Sequence, residues 1–433
     1  MPKSKPTLVD IKKTLIAAKD AFYQTVDDTL KTTKNSVVTL KINIPGVPKN
    51  TWYTDVILRI MNQHLSTIYD KQSTPHKSAA GDYYLYIFDE DPLKLKCELT
   101  HLESIHPLGR FVDLDVHSKQ KTITRKTIGA PPRSCYICNE QAHTCARNQT
   151  HDTLELRQHI IHRVEDFLSD ALAKEVALAL RKEVALYPSF GLVSFNDSGA
   201  HTDMNYTHFL KSITALTPYM KEFVEMGFNI EAHLESIRHI GKEAEASMYQ
   251  ATGNINTHKG AIFIFGAFLP FFTASIMHNR PLTEAISAMQ VFIDHLTKDD
   301  FQNLTKKEAL TPGEIIYQKY GIQGIRDEVK QGFKSIMNWY PNPDYTDYQK
   351  LCAIMARVDD TTIIKRHTYK TLRDVKTEMH ALLNEHPFNM DYYTALSDQY
   401  KKKGISPGGS ADLLSLVFFL DKTRYLLPEN ITE

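Results

Sequence analysis

Every strand-like segment of this chain lies before residue 170. These segments are rich in β-branched and aromatic residues, and helical patterns such as residues 7–29 flank them. They are residues 36–44, 82–89, 111–117 and 121–128. From residue 165 onward only helical patterns remain, separated by loops rich in Gly, Asn, Ser and Asp. The main ones are residues 165–186, 206–226, 230–251, 282–296 and 411–420.

This change of pattern predicts two domains. A chain of 433 residues is too long for one ordinary hydrophobic core. We therefore expect an α+β domain over residues 1–170 and an all-α domain over residues 171–433. Because no Pro- or Gly-rich linker separates them, we expect a helix to join the two.

The bulk properties argue against several classes of protein. Lys plus Arg equal Asp plus Glu at 51 each, so the net charge indicates neither a nucleic-acid-binding nor a membrane-binding protein. Five cysteines, three of them clustered, argue against a disulfide scaffold and for a reducing compartment. The first residues lack the apolar core of a signal peptide, so we expect a cytoplasmic protein.

One uncharged segment, residues 261–277, resembles a membrane span. It falls just short of the roughly 20 residues that a span needs, contains Pro270 and has no second apolar segment beside it. We expect a buried helix of a large helical domain, with a membrane span as the alternative.

Asp113 and Asp115 lie one residue apart in a strand-like segment, so both should point to the same face of the strand. Arg110 precedes them, and residues 116–139 contain no acidic residue. Two carboxylates beside a basic hairpin suit Mg²⁺ and a phosphorylated substrate, although a solvated strand followed by a basic hairpin gives the same pattern. The basic residues that follow are Lys119, Lys121, Arg125, Lys126 and Arg133.

A cysteine-rich stretch follows, with Cys135, Cys138, Cys145 and His151 at the spacing C-x₂-C-x₆-C-x₅-H. This spacing is typical of structural zinc, and His143 could compete as the fourth ligand. With four protein ligands, such an ion would close a loop rather than perform chemistry. Small buried thiols and a redox-active C-x₂-C pair are the alternatives.

Two segments of the helical half predict helix starts that could bind anions. In NTHKGAIF a cap at Asn256 or Thr257 opens the apolar helix, and in SPGGSADLL a Gly-Gly turn leads to Ser410 as the cap and Asp412 in the first turn. Helix N-termini attract phosphate, although capping alone explains each motif. The residues that we expect to contact a nucleotide here are His258, Lys259, Gly408, Gly409, Ser410 and Asp412.

Taken together, these motifs resemble two enzyme families. Residues from about 8 to 165 resemble the apo-citrate lyase phosphoribosyl-dephospho-CoA transferase family, and residues from about 175 onward resemble triphosphoribosyl-dephospho-CoA synthase. The first resemblance rests on INIPG (42–46), HPLGRFVDLDV (106–116), PPRSCYIC (131–138) and CARNQTH (145–151). The second rests on SGAHTDMNY (198–206), NTHKGAIF (256–263) and SPGGSADLL (406–414). Their order along the chain is that of a fused, bifunctional enzyme.

The resemblance implies a nucleotidyltransferase-like fold for the first domain and a two-step reaction. The helical domain would join ATP to 3′-dephospho-CoA and release adenine. The first domain would transfer the product to a serine of the citrate lyase acyl carrier (gamma) subunit and release pyrophosphate. The same prosthetic-group chemistry on the carrier of malonate decarboxylase is one alternative, and a non-catalytic zinc-bearing adaptor is another.

The resemblance also implies roles for individual residues. Asp113 and Asp115 would bind Mg²⁺ at the triphosphate, with Arg110 beside them. Basic residues of both domains would contact phosphate, among them Arg125, Lys126 and Arg326. Asp203, Glu245 and Asp360 are the candidates for acid–base catalysis of the glycosyl transfer, with no role assigned to any one of them.

Overall fold

The computed structural model describes residues 8–138, 140–297, 310–385 and 387–428. The chain forms two compact units, Met1–Leu168 and Ser169–Glu433. Their boundary falls inside a 32-residue helix, α5 (Thr153–Val184). A helix therefore covers the position at which the sequence pattern changes, and it begins 12 residues before the helical pattern that starts at residue 165.

The first unit contains a five-stranded antiparallel sheet with the order β2-β3-β1-β4-β5. The strands are β1 (Ser36–Ile42), β2 (Thr74–His76), β3 (Tyr83–Phe88), β4 (Val112–His117) and β5 (Thr122–Ile123). The helices confined to this unit are α1 (Leu8–Thr32), α2 (Trp52–Tyr69), α3 (Pro92–Ile105) and α4 (Ala142–Asn148). The central strand β1 is rich in β-branched residues and mostly buried, as expected of a strand covered on both faces.

The sheet differs from the sequence prediction at its two edges. Residues 121–128 were expected to be a strand, but β5 has only two residues, which pair with Val116 and His117, and Lys126–Ile128 forms a 3₁₀ turn. The edge strand β2 was not predicted, because its three residues include Pro75, which is tolerated only at an edge. Short edge strands carry too few residues to show the alternation that identifies a strand.

The described residues of the second unit contain helices and no strands. Its helices after α5 are α6 (Tyr206–Met226), α7 (Ile230–His233), α8 (Ile237–Thr252), α9 (Lys259–Met277), α10 (Leu282–Leu296), α11 (Pro312–Tyr320), α12 (Ile325–Lys330), α13 (Lys334–Met337), α14 (Asp347–Met355), α15 (Thr361–Arg366), α16 (Tyr369–Leu383), α17 (Met390–Lys403) and α18 (Gly408–Thr423). The helix predicted over residues 230–251 is interrupted by a 3₁₀ turn at Leu234–Ser236.

The apolar helix α9 forms the centre of this unit. It is long and apolar enough to cross a membrane by composition, yet 78% of its apolar window is buried within the protein. Phe265, Phe268 and Phe272 pack against Phe419 of α18 at ring-centroid distances of 5.7, 6.4 and 5.5 Å. The helix is thus covered by neighbouring helices, as a core helix of a soluble protein is, and the prediction of a buried helix is confirmed.

Candidate active sites

The two aspartates of β4 lie on the partly exposed face of the strand, because burial alternates along Val112–His117. Asp113 is 36% exposed and forms an ion pair with Arg133, and Asp115 is 31% exposed and lies 3.0 Å from Lys41 Nζ and 3.7 Å from Lys96 Nζ. Cations on neighbouring elements therefore offset the repulsion between the two like charges. Burial raises the pKa of Asp115, but the charges of Lys41 and Lys96 outweigh it, so the pKa is below its usual value and the carboxylate is ionised.

Glu103 of α3 organises the arginines around this strand. It is buried and accepts hydrogen bonds from the backbone N–H of Leu114 at 2.9 Å, from Arg125 at 2.6 Å and from Arg133 at 2.8 Å. The guanidinium of Arg125, predicted to contact phosphate, is thereby engaged with Glu103, whereas Lys126 is exposed on the 3₁₀ turn. The sequence analysis did not select Glu103, because a single glutamate in a helical pattern resembles a surface residue.

Arg110 lies near Asp113, and only part of its guanidinium is engaged in hydrogen bonds to described residues. Its Nε donates to the carbonyl of Ser134 at 3.1 Å, and the guanidinium lies 4.5 Å from the ring centre of Tyr136. Its Nη1 is buried and has no hydrogen-bond partner among the residues that the structure describes. A buried guanidinium N–H without a partner is a group that an incoming phosphate oxygen would satisfy.

Lys49 adds a cation that sequence reasoning missed. Its Nζ donates to the carbonyl of Ile44, within the INIPG motif, and Asp113 lies near enough to influence its charge. Burial lowers the pKa of Lys49, and the nearby Arg157 and Lys19 lower it further. The sequence signal was present, since Lys49 follows that motif by three residues, but only the fold places it near Asp113.

Cys135, Cys138, Cys145 and His151 converge, as predicted. One ligand atom from each residue lies within 4.8 Å of the others. All cysteines of the chain are free thiols. His143 is exposed and lies outside the group, so its selection as a competing ligand is wrong.

The donor atoms of this cluster suit zinc. His151 Nδ1 lies 3.1 Å from Glu155 Oε2, and its Nε2 is buried without a hydrogen-bond partner in the described part of the chain. Desolvation raises the pKa of the Cys135 thiol, but hydrogen bonds from the backbone N–H groups of Cys138 and Ile137 outweigh it, so that the pKa falls to about 7. Three thiols with an imidazole nitrogen are a common zinc ligand set, and a carboxylate on the other ring nitrogen is the usual support for a ligating histidine.

In the second unit, Asp412 connects the beginnings of α9 and α18. A Cβ placed on Gly260, the second residue of α9, would lie only 1.9 Å from Asp412 Oδ2, so glycine is required there. The carboxylate also accepts a hydrogen bond from the backbone N–H of Ala261. The expectation that Asp412 lies in the first turn of its own helix is wrong, because α18 begins at Gly408 and the carboxylate instead caps α9.

Asp360 holds the first turn of α18. It is buried and accepts from the backbone N–H of Ser410 at 2.9 Å, from Ser410 Oγ at 3.0 Å and from the backbone N–H of Thr362 at 2.9 Å. Ser410 was predicted to cap α18, which is wrong, since the capping position is Pro407 and Ser410 donates to Asp360. Gly409 packs against the same carboxylate. A Cβ at this position would lie 3.2 Å from Asp360 Cγ, which is tight and explains the glycine.

Glu183, near the end of α5, is another buried carboxyl group, and the sequence analysis did not select it. Burial raises the pKa of Glu183 to about 8. Burial also raises the pKa of Asp412 well above its usual value, and the nearby Glu183 and Asp360 raise it further. Helical spacing could have revealed Glu183, because it continues the buried positions Val176 and Leu180 of the same helix.

Lys259 and Glu245 form an ion pair at the start of α9, 2.5 Å apart. Phe263 lies one turn further along the same helix, and the Arg326 guanidinium lies 5.8 Å from its ring centre. The predicted cations Lys259 and Arg326 are therefore associated with one end of α9. His258 differs from these two cations, because it is buried. Its Nδ1 forms a hydrogen bond with Ser212 Oγ, 2.7 Å away, and burial lowers its pKa to about 3. A neutral, buried imidazole supplies no charge to a phosphate.

The SGAHTDMNY loop meets the SPGG turn through His201. His201 Nε2 lies 2.8 Å from Ser406 Oγ, and Arg366 donates to the carbonyl of Ala200 at 2.6 Å. Asp203 is 66% exposed, with an oxygen 3.8 Å from His201 Nδ1. Side-chain contacts of Asp412 and His201 thus join all three motifs of this unit.

Comparison with known proteins finds a matching family for each half of the chain. A model of the CitX family, apo-citrate lyase phosphoribosyl-dephospho-CoA transferase, matches residues 10–167, and a model of the CitG family, ATP:dephospho-CoA triphosphoribosyl transferase, matches residues 169–430. Protein CitXG of Haemophilus influenzae is 31% identical over 78% of this chain and 79% of its own length.

Two further relatives agree with these matches. Protein CitXG of Leuconostoc mesenteroides subsp. cremoris is 28% identical over 89% of this chain and 91% of its own length. The 2-(5″-triphosphoribosyl)-3′-dephosphocoenzyme-A synthase of Haemophilus ducreyi is 33% identical over 66% of this chain and 98% of its own length.

Proposed function

Because this chain belongs to the CitX and CitG families, joined in one polypeptide as in CitXG proteins, we propose that it makes the prosthetic group of citrate lyase and attaches it. The chain is a transferase, and both activities of that pathway are represented in it. The observation that carries the proposal is that the two family matches, residues 10–167 and 169–430, coincide with two compact units.

The second unit would carry out the first step. A ribose hydroxyl of 3′-dephospho-CoA attacks the ribose C1′ of ATP, the bond from C1′ to adenine breaks, and 2′-(5″-triphosphoribosyl)-3′-dephospho-CoA forms. The hydroxyl proton passes to a base, and the departing adenine accepts a proton. A carboxyl group with a raised pKa suits the donation of that proton, and burial, together with the nearby Glu183 and Asp360, raises the pKa of Asp412.

Phosphate contacts in this step would come from the start of α9. Lys259 is exposed and, as far as the structure describes the chain, pairs with one carboxylate, Glu245, so it can exchange that partner for a triphosphate. Arg326, stacked on Phe263, would add a second cation. Glu245, Asp203 and Asp360 remain candidates for the base, with Asp360 already occupied by three hydrogen bonds.

The first unit would carry out the second step. The serine oxygen of the carrier attacks phosphorus, a phosphodiester forms, and the bond to pyrophosphate breaks, with the serine proton passing to a base. Arg110, whose buried Nη1 lacks a hydrogen-bond partner in the described ranges of the chain, would bind a phosphate oxygen.

Asp113 and Asp115 fit a magnesium ion, because they present carboxylate oxygens from one partly exposed strand face. The bound ion would neutralise charge on the triphosphate.

We further propose that the protein acts in the cytoplasm. Its partners would be small-molecule nucleotides and the citrate lyase acyl carrier subunit, and it would bind neither nucleic acid nor membrane.

The decisive experiment is detection of adenine by chromatography after the protein is mixed with ATP and 3′-dephospho-CoA. Addition of the purified apo-carrier should then increase the carrier mass by one phosphoribosyl-dephospho-CoA group. A protein that releases no adenine and modifies no carrier would instead be a non-catalytic zinc-bearing adaptor. Parallel incubation with the apo-carrier of malonate decarboxylase shows which of the two carriers the protein modifies.

A further inference from the structure

The cysteine-rich segment shares residues with the Asp113 site. Arg133 pairs with Asp113, and the carbonyl of Ser134 accepts a hydrogen bond from Arg110, while Cys135 follows directly. Tyr136, between the first two cysteines, stacks on Arg110 and donates its hydroxyl to the carbonyl of Asn43. Four consecutive residues, 133–136, therefore connect the cluster to the guanidinium groups beside Asp113.

The segment itself supplies few interactions that fix those four residues. Among the described residues, their backbone makes two hydrogen bonds within the segment, from Cys135 N to the carbonyl of Glu140 at 2.7 Å and from Ala142 N to the carbonyl of Arg133 at 2.8 Å, in addition to the bond from Arg110 to Ser134. The neighbouring helix α4 has only seven residues, and Cys145 is its one buried side chain. A loop with so little apolar burial needs another source of order, such as a bound metal.

We propose that Cys135, Cys138, Cys145 and His151 bind one zinc ion, and that the ion positions Arg133 and Arg110 at Asp113. Zinc would bind four protein ligands and leave no open coordination position, so its role is to fix the loop. The buried Nε2 of His151, which lacks a hydrogen-bond partner among the described residues, would be the fourth ligand atom. The consequence for carrier loading rests on the proposed function of the first unit, whereas the metal site does not.

The metal site is tested by metal analysis of full-length protein purified without chelators. We expect one zinc per chain, and expect cobalt substitution to produce the charge-transfer absorption of thiolate ligands. Cys138→Ser should lose the metal, whereas His143→Ala, which removes an exposed histidine of the same segment, should keep it. Protein that holds no metal when fresh and takes up no cobalt would overturn the site.

The positioning role is tested on the wild-type chain by removing zinc with a chelator and then restoring it. Removal should abolish carrier loading and leave adenine release within about twofold, because the latter would occur in the second unit, and restored zinc should recover loading. Tryptic cleavage after Arg133, whose side chain is 17% exposed, should be slow in the zinc-bound protein and fast after removal. Unchanged cleavage and loading after complete removal would disprove the positioning role.

Cys138→Ser could also unfold the first unit, and Arg133→Lys avoids that difficulty. This variant keeps all four ligands and one positive charge but loses the fork that joins Asp113 to Glu103. We expect full zinc content with carrier loading reduced at least tenfold. Full loading by Arg133→Lys would show that the loop does not act through Arg133. If wild-type protein binds zinc but never loads the carrier, the proposed function fails while the metal site stands.

Discussion

Individual charged residues act differently in the two units because their surroundings differ. In the first unit, carboxylates such as Asp115 lie beside lysines and stay ionised. In the second unit, Glu183 is buried and Asp412 is half-buried, and desolvation raises the pKa of both carboxyl groups. The first environment suits binding of a metal ion and phosphate, and the second suits proton transfer.

Asp113→Asn should separate the two activities. It deletes one of the two negative charges proposed to hold magnesium, so carrier loading should fall at least tenfold, while adenine release continues and the triphosphoribosyl intermediate accumulates. Asp28→Asn, on the exposed face of α1, is the matched control. Normal loading by Asp113→Asn, measured by carrier mass, would contradict the proposed role.

The structure changes the expectation for the stability of that variant. From the sequence, removal of one of two adjacent like charges should relieve repulsion. In the folded protein Asp113 also pairs with Arg133 at a partly exposed position, so the two effects oppose each other. We expect a net change within about 1 kcal/mol.

Lys259→Ala should weaken ATP binding about tenfold or more, since a charge-assisted contact contributes about 1.5–3 kcal/mol. Lys242→Ala, which removes an exposed lysine of α8, is the control for loss of one positive charge. Calorimetric titration with ATP measures the affinity of each variant for the nucleotide. Equal affinity of Lys259→Ala and wild type would remove Lys259 from the nucleotide site.

Glu183 should make the second unit less stable as the pH rises. Its folded pKa, about 8, lies above the ordinary value of 4.5, so the folded state holds a proton that the unfolded state releases. Its contribution to stability is therefore complete below pH 4.5 and is lost as the pH rises from there through about 8, by up to about 5 kcal/mol.

Glu183→Gln should remove this dependence. Thermal unfolding at acidic and mildly alkaline pH should show a midpoint that falls less with pH in the variant than in the wild type. Parallel curves for the two proteins would show that Glu183 is not held protonated.

At the scale of elements, the second unit depends on two helix starts held by acidic side chains from elsewhere in the chain. Asp412 of α18 caps α9, and Asp360 binds the first turn of α18. Each helix end is thus satisfied by a side chain distant in sequence rather than by its own capping residue. Asp412 therefore links the start of α9, which carries Lys259, to the helix that begins at Gly408.

Gly260→Ala tests this arrangement. Its new methyl group would meet Asp412 Oδ2, so we expect a loss of about 1–3 kcal/mol in stability together with loss of adenine release. Gly241→Ala is a matched control in α8, because its Cβ would meet nothing within 4 Å. Alanine there should be neutral or stabilise by up to about 1 kcal/mol. Equal thermal midpoints for the two variants would show that Asp412 moves aside freely.

At the scale of the whole molecule, equal numbers of acidic and basic residues conceal an uneven distribution. Arginines and lysines surround the aspartates of β4, and buried carboxyl groups gather in the second unit. Net charge therefore says little about the ligands of a chain whose charges are arranged locally. The two proposed reactions use different chemistry, and each unit has residues suited to one of them.

Two inactive variants should complement each other when mixed. Asp113→Asn should supply the soluble intermediate, and Gly260→Ala should use it to load the carrier, since each change affects a different unit. Carrier mass after mixing, compared with each variant alone, is the measurement. Failure to load, when Gly260→Ala loads carrier from added purified intermediate, would show that the intermediate is not released.

Some features follow from local sequence alone. Spacing of the Cys and His residues predicted a cluster that the fold assembles, because its ligands lie within 17 consecutive residues. Alternation along β4 placed Asp113 and Asp115 on one face, and the composition of α9 predicted a buried helix. These are properties of short segments, in which geometry depends on the period of a helix or strand.

Tertiary structure decided the partners. Nothing near Ser410 in the sequence indicates that Asp360 binds it. Nothing near Asp412 indicates that its carboxylate caps a helix that starts about 150 residues earlier. Likewise, Glu103 resembles a surface residue until burial shows otherwise. The physical reason is that pKa, capping and ion pairing depend on atoms within a few ångströms, and chain folding brings those atoms from distant segments.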